Sequence, residues 1–107
     1  MEHRSKRSEE KSIIQGLVVK AIRYGGDLLE VEYKNHYGEV FVMRNGIGFG
    51  IARFKSSSAQ GAALRKELYG VAKKKRRIVV DKEEYELHSR IYDSFGEDAF
   101  RIHLQKL

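Results

Sequence analysis

Hydrophobic residues change their spacing at about residue 55, and that change limits what this chain can fold into. Up to Phe54 the pattern suits strands; beyond it, apolar residues recur at helical intervals. A chain that places hairpins ahead of helices is expected to fold as an α+β domain.

In the first part, Ile13 to Tyr24 is rich in Ile, Val and Leu and is broken by Gly25-Gly26-Asp27. Leu29, Val31 and Tyr33 alternate with Glu30, Glu32 and Lys34, the period of a strand with one wet face. Val40 to Met43 is apolar on both sides. Asn45-Gly46 comes next, and this pair tolerates the positive φ angles of a tight hairpin turn. In the next run Ile47, Phe49 and Ile51 share one face, while Gly48, Gly50 and Ala52 form a bare face that would admit a packed helix. The pattern predicts a four-stranded antiparallel meander over about 13–54.

Beyond Ser56-Ser57-Ser58, which offer helix caps, Leu64, Leu68, Val71 and Ala72 share a helical face. Gly70 weakens that helix or ends it. Ile78-Val79-Val80 predicts a short strand. Asp81 and Glu84 have the spacing of a capping box, and Leu87, Ile91 and Phe95 recur every four residues up to Gly96, a pattern that predicts a second helix. Phe100, Ile102 and Leu104 alternate in a last strand. The expected order is therefore four strands, helix, short strand, helix, strand.

The 107 residues fit a single domain over 13–107, and the charged stretch 1–12 is expected to be a mobile tail. No apolar run approaches the roughly 18 residues of a membrane span, and no signal-peptide pattern appears behind the N-terminus. There is no cysteine, which excludes disulfides and thiolate metal sites. The expectation is a cytoplasmic protein without membrane contact.

The formal net charge of +6 has a location. Residues 65–77 hold seven basic side chains and one acidic, so this window alone accounts for it. Residues 81–98 carry a net charge of −5, seven acids against Lys82 and Arg90. Lys73, Lys74, Lys75, Arg76 and Arg77, with Arg65 and Lys66 upstream, are the candidate contacts to nucleic-acid phosphates, DNA or RNA. Lys20, Arg23, Arg44 and Arg53 could add to them. The same run could instead complement the dipole at a helix end or face the acidic segment. The alternative reading is a protein-interaction or regulatory module, whose charge dipole steers a protein partner or a second copy of the chain.

Lys55, Ser56, Ser57 and Ser58 form a possible anion site, because helix N-termini present free N–H groups; an ordinary serine cap explains them as well. Asp27, Glu32 and Lys34 have the residue types of a metal-dependent nuclease. Their spacing is short, and alternation on a wet strand accounts for them equally. Gly46, Gly48 and Gly50 come after a hairpin signal with no helix behind, so they are not a dinucleotide loop. His3, His36, His88 and His103 are scattered, and Glu84 with His88 makes only two ligands. The sheet aromatics Tyr24, Tyr33, Tyr37, Phe41, Phe49 and Phe54 could stack bases, though core packing is their simpler use. No catalytic set, metal site or cofactor motif emerges, and a binding domain is expected rather than an enzyme.

Overall fold

The computed structural model describes residues 12–107, so the expected tail falls outside the described residues except for Ser12. Two helices lie on one face of a six-stranded antiparallel sheet. The elements are α1 (Ile13–Arg23), β1 (Leu28–Lys34), β2 (Tyr37–Arg44), β3 (Ile47–Lys55), α2 (Ala59–Lys73), β4 (Arg76–Val80), β5 (Glu83–Ser94) and β6 (Glu97–Lys106). Across the sheet the order is β3-β2-β1-β6-β5-β4, so β1 and β6 form the central seam.

The four-stranded meander expected over 13–54 is corrected to a helix and three strands. Ile13–Arg23 is helical because Ile14, Leu17, Val18 and Ala21 form one buried stripe at helical spacing, while Gln15, Gly16, Lys20 and Arg23 stay exposed. The β-branched content of this run suggested a strand; its periodicity did not. Both ends are secured. Ser12 Oγ accepts from the Gln15 N–H, and Glu67 of α2 accepts from the Ile14 N–H at 2.8 Å. α1 has no acid in its own first turn, so this carboxylate complements its dipole from another helix. Gly25 leaves the helix at a φ of +86°.

The second correction is the helix expected after Asp81. Glu83–Ser94 is a twelve-residue strand, paired with β4 on one side and β6 on the other. A spacing of four residues is common to a helix face and to a strand face, so Leu87 and Ile91 fit both. What decides is the intervening Ser89, which is also buried, while His88 and Arg90 face the other way. Asp81 and Lys82 have φ angles of +50° and +70° and form a hairpin turn, not a capping box. Phe95-Gly96, at +53° and +85°, is another hairpin turn, so Gly96 ends no helix. Asn35-His36 and Asn45-Gly46 make the remaining two.

Two smaller expectations also change. α2 runs through Gly70 to Lys73. No helix covers Gly48 and Gly50; an added Cβ there would meet Met43 and Phe41 of β2 on the helix-free face of the sheet. A bulge sets Gly50 and Ile51 against Phe41, and beyond it Ala52 turns to the core side beside Ile51.

The core lies between the helices and one sheet face. Phe100, Leu29, Val31, Val42, Leu87 and Ile102 from the sheet meet Ile14, Val18, Leu64 and Leu68 from the helices. Phe100 packs edge-on to Tyr69 of α2 at 5.0 Å and to Tyr33 of β1 at 6.3 Å, tying the helix layer to the central seam. The opposite face of the sheet has no second layer among the described residues. No helix of the described residues is long and apolar enough to cross a membrane.

Candidate functional site

The chemistry-bearing side chains gather on the uncovered face of the sheet. Alternation along β5 and β6 sends Leu87, Ser89, Phe100 and Ile102 to the core. The same alternation sends His88, Arg90, Arg101 and His103 to solvent. Register then places His88 directly opposite His103, and Arg90 directly opposite Arg101. These side chains line a shallow concavity of about 560 Å³ with Lys75, Glu30 and Glu86.

Two cations directly opposite across strands repel one another. Here the pair is asymmetric. Arg101 Nε donates to Glu30 Oε2 at 2.8 Å, and its guanidinium stacks 4.6 Å over the Tyr92 ring. The Glu30 hydrogen bond holds the Arg101 guanidinium in its charged form. Tyr92 itself is pushed up, first by burial and then by Glu30 and Glu32. Arg90 has no ion pair among the described residues and is exposed. Arg101 is thus fixed within the floor of the concavity, and Arg90 lines it without a fixed partner among the described residues.

The basic run reaches this face around a corner. Lys73 ends α2, Lys74 is its C-cap, and both are exposed without an ion pair among the described residues. Lys75 then turns onto the open face beside Glu86 at 3.8 Å. Arg77 shares Glu86 and Glu84 at 3.9 Å. Arg76 points to the helix side instead, donating to Ser12 Oγ at 3.2 Å. The five cations therefore do not form one patch: β4 distributes them over both faces. Arg65 and Lys66 lie about 12 Å back along α2, and Arg65 stacks 4.1 Å over Tyr33 while reaching Glu97 at 3.7 Å. The structure does not bring these two together with Lys73–Lys75.

Of the three serines, Ser58 caps α2. Ser58 Oγ accepts from the Gly61 N–H at 2.9 Å and donates to the Lys55 carbonyl. The Ser56 N–H is used by the His36 carbonyl. Ser56 does line a separate cavity of about 390 Å³ with Arg65, Lys34 and His36, but Lys55 and Ser57 are not part of it.

Asp27, Glu32 and Lys34 are spread along β1 and the turn before it. Asp27 and Glu32 stand about 16 Å apart at strand rise, and Glu32 accepts from the Tyr92 hydroxyl at 3.4 Å. Among the described residues no three His, Asp or Glu side chains converge as a metal site. Lys20, Arg23, Arg44 and Arg53 are dispersed. Arg23 is paired with Asp81, Arg53 with Glu39, and Arg44 lies over Tyr24.

His88, Arg90, Arg101 and His103 were not singled out together from sequence. The signal that could have found them is the period-two alternation Glu84, Glu86, His88, Arg90, Tyr92 against Tyr85, Leu87, Ser89, Ile91. Nothing local places this strand beside Arg101 and His103.

No protein-family model matches the chain, and no curated protein shows significant similarity to it.

Proposed function

We propose that this domain binds nucleic acid through its phosphates, across the open face of the sheet and the adjoining corner formed by Lys73, Lys74 and Lys75. The observation that carries this reading is that Lys75, from the basic run, lines the same concavity as Arg90, Arg101, His88 and His103. Exposed lysines at its rim and an unpaired arginine on its floor suit a polyanion lying across strands, and the paired Arg101 keeps the floor rigid. Lysine lacks the planar fork that reads a base edge bidentately, so recognition is of backbone, not sequence. Tyr92 beside Arg101 and the fully exposed Phe95 at the β5–β6 turn are aromatic surfaces on which an unpaired base can stack.

The charge-dipole alternative receives less support. Much of the acidic segment is engaged within the fold: Asp81 with Arg23, Glu83 with Lys106, Glu84 and Glu86 with Arg77, and Glu97 with Arg65. A cysteine-free chain of this kind fits a cytoplasmic setting.

The test is binding of the full chain to labelled duplex DNA, single-stranded DNA and RNA over a range of salt. Binding is expected to be weak and sequence-tolerant, with a log–log salt slope of roughly −0.9 per phosphate neutralised on duplex DNA. Replacing Lys73, Lys74 and Lys75 with Gln is expected to flatten the slope by about two to three units. Arg90→Gln is expected to weaken binding further while leaving Tm unchanged. Absence of binding at low salt, or a slope unaltered in the triple variant, overturns the proposal.

A further inference from the structure

The two outer edges of the sheet are not equally protected. An edge strand presents unpaired N–H and C=O groups that template pairing with another chain, and folded proteins blunt it with short length, charge or proline. β4 is five residues long and carries Arg76 and Arg77. β3 is nine residues long, and residues 45–52 hold no charged side chain and no proline. Its one irregularity is a bulge at Gly50 and Ile51, which keeps Ile51 on the core side. Ahead of the bulge Ile47 is 58% exposed and Phe49 37% exposed. Tyr24, at the end of α1, adds its edge-on ring 5.6 Å from Phe49.

The order of residues on this edge says what fits it. Ile47-Gly48-Phe49-Gly50-Ile51 reads the same in both directions. In an antiparallel pair related by a twofold axis through residue 49, position 49+n faces position 49−n of the mate. We propose that a second copy of this chain covers this edge, β3 pairing antiparallel with the mate's β3 about Phe49. Ile47 then faces the partner's Ile51, and Gly48 faces the partner's Gly50. The two Phe49 rings meet at the axis, flanked by the two Tyr24 rings. Such a contact is self-complementary and closed, as a twofold dimer requires. It opposes no like charges over these five residues, whereas two β4 edges would crowd four arginines into one five-residue strand pair. A β3–β4 contact would be heterologous and would propagate instead of closing. Gly48 and Gly50 leave the open face of the pair to Met43 and Phe41 of each chain, the side chains an added Cβ would meet.

The experiment is light scattering and sedimentation of the full chain, wild type against Ile47→Lys. Ile47 is already mostly solvent-exposed, so this variant keeps the fold. The wild type is expected to be a dimer, and Ile47→Lys to raise the dimer Kd by about tenfold or more, because two apolar contacts are lost per dimer. The absence of cysteine allows a second measurement. Under mild oxidation Phe49→Cys is expected to form a covalent dimer about tenfold faster than Val79→Cys on the other edge, since only the first brings two sulfurs within bonding reach. Ile47→Lys decides the matter if Phe49→Cys does not fold. A monomeric wild type, open-ended oligomers, a dimer unaffected by Ile47→Lys, or equal cross-linking rates overturns the proposal.

Discussion

Residues 13–55 and 59–106 each run through a helix and then a three-stranded meander, but they fill the sheet in opposite senses. The first half places its first strand, β1, at the centre and its last, β3, at the edge. The second half places its last strand, β6, at the centre and its first, β4, at the edge. Both halves bury the same alternating stripe against a helix. Their edges have diverged: one apolar and glycine-rich, the other short and cationic. The core demands only that one face of each strand be apolar. What lies outside that stripe is free to vary, and there the two halves acquire different association chemistry.

If the halves share one core, they should unfold together. Phe100 is fully buried and touches Tyr33 of the first half and Tyr69 of the second. Phe100→Ala is expected to cost about 3–5 kcal/mol, read as a lower denaturant midpoint with a single transition. Two separated transitions in the wild type would undo the shared core, making each half its own unit.

The helices should answer oppositely to the same substitution. A Cβ at Gly61, in the first turn of α2, would stand 2.2 Å from the Lys55 carbonyl oxygen, so Gly61→Ala is expected to destabilise by about 1–3 kcal/mol. Gly16 in α1 meets nothing within 4 Å, so Gly16→Ala is expected to stabilise by about 0.5–1 kcal/mol. Thermal melts of both check the sign.

In turn chemistry the halves match: each has one turn ending in glycine, at Gly46 and Gly96, and one holding a non-glycine residue at positive φ, His36 at +68° and Lys82 at +70°. Lys82→Gly is expected to stabilise by roughly 0.5 kcal/mol, the relief of left-handed strain less the added chain entropy. An unchanged or lower Tm would show that the turn is held by its strands alone.

The smallest effect is the ion pair joining the halves. Arg23 Nη2 reaches Asp81 Oδ1 at 2.8 Å. The hydrogen bond from Arg23, assisted by its charge, holds the Asp81 carboxyl below its ordinary value. A lowered carboxyl contributes stability above its unfolded-state pKa and loses it as pH falls through the folded-state value. The Tm difference between wild type and Asp81→Asn should therefore be small near neutrality and vanish in acid. Both groups are exposed, so salt should also diminish it. A difference that persists at full size in strong acid would assign the effect to the turn and not to the pair.

Local sequence settles the turns of the first half, because Asn35 and Asn45-Gly46 accept positive φ between two alternating runs. It also settles the alternation of β1 and β6 and the helical stripe of α2, whose periods are unambiguous over their length. It leaves open the segment after Asp81, since a spacing of four satisfies both periods and Asp81 suits a cap and a turn equally. At Ile13–Arg23 two local signals conflict, the β-branched content arguing for a strand and the spacing of Ile14, Leu17, Val18 and Ala21 for a helix. That helix draws its terminal partners from Glu67 and Arg76, more than fifty residues away. Tertiary pairing is what sets His88 against His103 and Arg90 against Arg101, because strand register is a relation between distant segments. It also makes five adjacent cations part company: a strand sends neighbouring side chains to opposite faces, so adjacency in sequence at β4 becomes separation in space.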